Sequence, residues 1–487
     1  MTVDDTRASR RIAPILLAAF LATAPAGADA TRTAASAGSE DGLPATVTTR
    51  GGTSTHLAFA DHAYVNPFTG GVAWETTMNA DRLSMEWAFI GVSDVLPLCA
   101  GAFDWTVVDT FLANVASRGH QAILRPVFFG PGYVLENYAP SDLAVADFHY
   151  GVDTFDNPRW DLASTQTCVL KFIDAFAARY KHDLRVAYIQ MGLAGLWGEH
   201  HLDGGPYTAS SFPSTAFQKT MISRYLSGFG STSSDLLVSI SLDAAQAHGF
   251  FSSPDATFDH ERVGFFDDSL LIANHKAAGN WRQQQHPVDQ LLLHKRHGWG
   301  GEAYWTGCNE DGSWVVPPND CGNGESLGDQ AARLGLNYML GHSAFASGHY
   351  SSAALLAASQ QLGYKFTATA ATRQDAGHVA VTVENTGVAQ CPYRVQVCTA
   401  EGCAGDLSTL APGISAVVIV PASVAASQDL FFRSPRLDPN SALKIRWSNV
   451  GADGPTGTLT IVVDSAVEIF TDDFESRSTD EWSSTRF

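Results

Sequence analysis

The chain has 487 residues, room for about three domains of roughly 150 residues, or for fewer if one is a barrel of about 250. Hydrophobic residues are 45% and charged residues 16%, so a large core is available under a sparsely charged surface. With 50 acidic against 30 basic residues the net charge is -20; with no Lys/Arg run to offset it, this argues against nucleic-acid backbones, anionic membranes and polyanionic substrates and leaves neutral ligands open.

Residues 1–30 read as an export leader. Arg7, Arg10 and Arg11 precede the run IAPILLAAFLATAPAGADA, and small residues mark an expected cut near Ala28 to Ala30. The run is shorter than the about 20 residues of a comfortable membrane span. The expected location is secreted or periplasmic, cell-surface association included, with no integral span in the mature chain. Residues 31–59 are Ala/Ser/Thr/Gly-rich and read as a flexible lead-in.

From 60 to 360, short apolar runs alternate with amphipathic stretches. The pattern predicts strands over 71–75, 84–89, 121–128, 185–192, 236–242, 262–267, 298–305 and 336–342. It predicts helices over 105–118, 161–180, 214–227, 285–296 and 327–335. Eight parallel-type strands make an α/β chain with a (β/α)8 TIM-like barrel, its first connection too short for a full helix. A doubly wound sheet competes, but no Gly-rich nucleotide fingerprint follows an early strand. Over 361–466 the runs YKFTATAATR, GHVAVTVENTG, YRVQVCT, SAVVIVPA, SALKIRWS and GTLTIVVDS alternate apolar and polar residues between turns, as an antiparallel β-sandwich does. Residues 467–487 read as an acidic, exposed tail.

Seven Cys suit an oxidising compartment. Cys99 and Cys168 are a pair or two buried thiols. Cys308 and Cys321 bracket a long loop that a disulfide would staple. Among Cys391, Cys398 and Cys403 one pair is expected, the third being free or paired elsewhere. Spacing alone leaves the connectivity open. No CxxC occurs, so a structural zinc site is not expected; the expectation is likewise of no metal ligands and no cofactor.

The strongest chemical signal is the run GLWGEHH at 195–201, which follows the fourth predicted strand. A carboxylate there faces the mouth where barrel active sites are built, so Glu199 is a catalytic candidate. Its plainer role is a helix cap or an Arg partner. Trp197 is a wall for a sugar face and His200 a substrate contact; Glu-His-His is not the HExxH zinc arrangement. Glu302, in GGEAYW, is the second candidate carboxylate. Paired carboxylates from two strand ends can protonate a glycosidic oxygen and attack the anomeric carbon. Its plainer role is a buried Glu satisfied by Arg125 or a backbone amide. Further strand-end candidates for substrate binding are Arg125, Asp243, Asp267 beside Asp268, and His342, with Trp299, Trp305 and Tyr304 as sugar platforms.

Several short pieces in order carry a family resemblance: Asn66-Pro67 with Gly70, Ser84-Met85-Glu86-Trp87, Arg125, Trp197-Gly198-Glu199-His200, Gly300-Gly301-Glu302, Asn337-Tyr338 to His342-Ser343, and Val383-Glu384-Asn385-Thr386-Gly387. Over about 62–465 the chain resembles a secreted bacterial family classed as domain of unknown function 4832, with a preceding barrel half of the 4874 class. That resemblance implies a barrel like those of the retaining glycosidase clan, with Glu199 as acid/base and Glu302 as nucleophile. Gly198 stands where the clan's usual Asn precedes the acid/base. The ending IFTDDFE resembles a motif common on secreted proteobacterial proteins, with Asp473 in place of its Gly, and implies export processing or display.

The leading expectation is therefore an exported, retaining glycoside hydrolase acting on a carbohydrate substrate. The alternatives are a non-catalytic carbohydrate-binding barrel, a structural or adhesion protein, and a metal-dependent hydrolase. Oligomeric state is left open.

Overall fold

A computed structural model describes residues 46–49, 52–55, 65–74, 83–130, 137–203, 205–230, 232–241, 263–270, 298–303, 326–341, 352–449, 452 and 456–463. The expected leader, the tail, the helix over 285–296 and the Cys308/Cys321 loop lie outside the described residues. Within the expected lead-in, Thr46–Thr49 pairs antiparallel with Gly52–Thr55.

Eight strands close into a parallel barrel: β1 (Gly70–Trp74), β2 (Met85–Gly91), β3 (Gln121–Val127), β4 (Val186–Gln190), β5 (Leu237–Ser241), β6 (Val263–Leu270), β7 (Trp299–Ala303) and β8 (Tyr338–Leu340). Each pairs with its neighbours in sequence, and β8 returns to β1 through Tyr338 opposite Gly70. The strands are buried on both faces, which is why β3, β4 and β5 read as nearly unbroken apolar runs.

Helices α1 (Thr106–Ser117), α2 (Ala163–Tyr180), α3 (Thr215–Phe229), α4 (Leu327–Leu334) and α5 (Ser352–Ser359) follow β2, β3, β4, β7 and β8. The start of α4 is set by a capping box between Ser326 and Asp329, and its end by Gly335 at φ 68°. A hairpin that the strand pattern does not predict, Val145–Tyr150 with Asp153–Pro158, projects between β3 and α2. Cys99 and Cys168 form a disulfide that ties the segment before α1 to α2.

Two antiparallel sheets follow. One contains β9 (Phe366–Asp375), β10 (His378–Asn385) and β13 (Ser415–Pro421). The other contains β11 (Gln396–Cys398), β12 (Cys403–Ala404), β14 (Ser427–Arg433) and β15 (Leu459–Val462). Cys398 and Cys403 are bonded across a tight turn, and Cys391 is a free, buried thiol that burial pushes up to about 12. The expectation of a strand at SALKIRWS is corrected. Ile445 and Trp447 bury alternately as a strand would, but Arg446 N–H donates to Asn66 Oδ1 and Ser448 N–H to the Phe366 carbonyl, leaving one isolated bridge.

These sheets lie against the end of the barrel where the strands begin. Tyr393 packs on Phe68 and Tyr188 and bonds the Ala187 carbonyl and the Leu237 N–H. Arg436 donates to the carbonyls of Lys181, Asp183 and Val186. With that end covered, the opposite end holds the strand C-termini and the loops that follow them.

Candidate functional site

The site grows from alternation along the strands. Trp87 on β2, Arg125 on β3, Gln190 on β4 and Tyr338 on β8 meet inside the barrel. Gln190 Oε1 accepts from Trp87 Nε1 at 2.7 Å and from Arg125 Nε at 2.8 Å, and its amide donates to the Tyr338 hydroxyl at 3.0 Å. Gly300 on β7 makes room for that ring, since a Cβ there would lie 2.0 Å from it.

Arg125 is fully buried, its guanidinium 4.5 Å from the Phe266 ring centroid and 5.0 Å from that of Trp87. A buried cation must be paired. Arg125 Nη1 donates to Glu199 Oε1 at 3.1 Å, and Nη2 donates to Glu302 Oε1. Two oxygens bonded to one guanidinium lie within about 8 Å of each other. That span contains the retaining separation of about 5–5.5 Å and part of the inverting range of about 6.5–9.5 Å.

Glu199 sits on the loop after β4, which folds back on itself. Leu196 N–H bonds the His201 carbonyl and His200 N–H bonds the Ala194 carbonyl, each at 2.9 Å. Leu193, Trp197, His200 and Asp203 take positive φ of 76°, 50°, 60° and 46°, a concentration of strain typical of functional loops. Gly195, at φ 78°, is needed there because a Cβ would meet the His201 carbonyl at 2.3 Å. Burial raises the Glu199 carboxyl to about 7; Asp268 and Glu302 add to the rise, while His201 and Arg125 oppose it. His201 Nε2 lies 3.1 Å from Glu199 Oε2 and 3.7 Å from Asp268 Oδ2. The Tyr150 ring, on the hairpin, meets Trp197 edge-on at 5.8 Å, and its hydroxyl bonds Asp203.

Arg125, Glu199 and Glu302 thus come together from three separate elements, and Trp197 stands half-buried beside them. The histidine that meets Glu199 is His201, whereas His200 is buried within the loop. Asp267 and Trp299 do not reach the site. Asp267 is fully buried and accepts from Ser269 N–H, and Trp299 is 1% exposed and packs on Phe265. Alternation accounts for this: Phe266 and Glu302 point inward to Arg125, so the odd-numbered Asp267 on β6 and Trp299 on β7 point out. Asp243, Tyr304, Trp305 and His342 lie outside the described residues. Gln190 and Tyr150 complete the arrangement; a lone Gln in VAYIQ is a readable signal for the first, and nothing local marks the second.

Among the described residues, Glu199, His201 and Asp268 also bring three possible metal-ligand atoms within 4.8 Å of one another. By residue type such a trio could hold a divalent cation.

No family model matches the chain, and no curated protein matches it. Among solved structures, it is similar to endo-glycoceramidase II from Rhodococcus sp., with 13% identity over 75% of this chain and 100% of that one, at a TM-score of 0.41. A family 39 glycoside hydrolase from Bacteroides cellulosilyticus aligns at 10% identity over 74% of this chain and 80% of that one, at 0.36. An endoglucanase from Pseudomonas stutzeri aligns at 9% identity over 60% and 94%, also at 0.36.

Proposed function

We propose that the protein is an exported glycoside hydrolase that cleaves a poly- or oligosaccharide with retention, with Glu199 as acid/base and Glu302 as nucleophile. One observation carries this reading. A carboxylate from the loop after β4 and one from β7 share Arg125, yet their surroundings differ. Glu199, raised to about 7 by burial, holds a proton near neutral pH and can give it to a leaving oxygen. Glu302, bonded to Arg125, is placed to attack the anomeric carbon. Water then releases the sugar as Glu199 takes the proton back. Trp197 and Tyr150 offer an aromatic wall for a sugar ring. Two disulfides agree with an oxidising compartment, and among the described residues no helix is long and apolar enough to cross a membrane.

The test is hydrolysis of a glycan panel and of aryl glycosides by the wild type, Glu199→Gln and Glu302→Gln. The expected result is loss of turnover in both, with Glu199→Gln still releasing a burst of leaving group from substrates whose leaving group needs no proton, because only its second step then lacks the base. Equal turnover by all three proteins would overturn the reading. A carbohydrate-binding barrel without chemistry is the second reading, favoured by one fact: both carboxylates are ion-paired and under 10% exposed (7% and 4%). It predicts sugar binding without turnover in the wild type.

A further inference from the structure

His201 is the group beside Glu199 whose proton the geometry locates. Its Nδ1 accepts the Asp203 backbone N–H at 3.2 Å. A backbone N–H can only donate, so the neutral ring carries its own proton on Nε2. That atom lies between Glu199 Oε2 at 3.1 Å and Asp268 Oδ2 at 3.7 Å. A cation in the trio would need Nε2 bare, which would set an Nδ1 proton against the Asp203 N–H. The trio therefore suits a shared proton better than a metal ion.

Both Glu199 oxygens face donors: Oε1 meets Arg125 and Oε2 meets His201. That arrangement fits the ionised carboxylate. Once Glu199 takes up a proton, that proton competes with the two N–H donors for its oxygens and weakens those bonds, and Arg125 is fixed by Gln190 and Glu302. His201 has a second carboxylate close by, Asp268 Oδ2 at 3.7 Å from Nε2, near enough for a small ring movement to bring it into hydrogen-bond range. We propose that His201 is a positioning residue that hands its Nε2–H between Glu199 and Asp268 as Glu199 loses and regains its proton. No bond to carbon changes in this step; the imidazole keeps its proton and exchanges one acceptor for the other. The catalytic consequence rests on the hydrolase reading, in which Glu199 must be acid in one half-reaction and base in the next. The charged and titratable groups facing Glu199 are Arg125 from β3, Asp268 from β6, Glu302 from β7, His201 from its own loop, and Tyr150 from the hairpin, whose hydroxyl bonds Asp203.

The experiment follows the Glu199 carboxyl stretch by infrared difference between each full-length protein and its Glu199→Gln counterpart across pH, beside the pH profile of kcat/KM. His201→Ala removes the donor to the ionised form and is expected to raise the midpoint by about one pH unit. His201→Gln, which keeps a donor, restores it. Asp268→Ala removes both the like charge and the second acceptor, and Asp268→Asn removes only the charge. The hand-over predicts a larger downward shift for Ala than for Asn, and loss of that difference in a His201→Ala background. Equal shifts for Ala and Asn, or a midpoint unmoved by His201→Ala, overturn the proposal. The expected titration in a protein that cleaves no glycoside would leave the hand-over standing and remove the hydrolase reading.

Discussion

Arg125 holds three jobs with one planar group: it bonds Gln190 through Nε and the two carboxylates through Nη1 and Nη2. A lysine has a single ammonium and cannot span those positions. Arg125→Lys is expected to lower kcat/KM by at least about 100-fold, because the geometry of both carboxylates depends on the fork. Kinetics on the best substrate of the panel checks this, with circular dichroism to confirm the fold. Glu199 makes a second prediction. Its folded carboxyl is raised to about 7 from an ordinary 4.5. Between those values the folded state holds the proton more tightly than the unfolded state does. The resulting stability is complete below the unfolded value and is lost as pH rises through about 7. Melting temperature is expected to fall between pH 5 and 8, and to fall less in Glu199→Gln, by scanning fluorimetry in matched buffers.

Elements translate these residues into position. Gly300 stands on β7 where the Tyr338 ring passes, and an added Cβ would meet the ring at 2.0 Å. Gly300→Ala is expected to destabilise by about 1–3 kcal/mol through overpacking, read by urea denaturation. The eight barrel strands were legible because each is buried on both faces and leaves an apolar run between turn residues. Arg125, Glu199 and Glu302 were legible as charges at the ends of such runs. Which neighbour faces the site was legible only through the period of two. With Glu302 inward, Trp299 must face out, and with Phe266 over Arg125, Asp267 faces away from the barrel interior. Asp268, beyond a register shift in β6, turns to His201 instead. Segment SALKIRWS escaped sequence reading for another reason. Its burial alternates, but its amides bond to Asn66 and Phe366, and no local pattern announces a partner so far away in the chain.

Across the molecule, the two ends of the barrel differ: one is packed against the antiparallel sheets, and the other carries the candidate carboxylates. At the strand N-termini, Arg436 is 2% exposed and gives its guanidinium to three carbonyls of the segment leading into β4, while Gln121 at the start of β3 bonds the Arg436 carbonyl in return. Burial lowers the Arg436 pKa, the direction expected when a cation gives up water for neutral acceptors. Tyr393 fills the space beside it and touches Phe68 and Tyr188, and Tyr188 stacks in turn toward Tyr338. Removing the guanidinium leaves buried carbonyls without donors, each a loss of about 1–3 kcal/mol. Arg436→Met keeps most of the volume and isolates that loss. It is expected to lower unfolding free energy by about 3 kcal/mol or more while leaving kcat/KM of the folded fraction within about twofold. Denaturant titration and active-site-normalised kinetics on one preparation separate the two effects. A large drop in kcat/KM at unchanged stability would show that the antiparallel sheets reach the chemistry through the Tyr393, Tyr188 and Tyr338 rings, and that the far end of the barrel is not merely a brace.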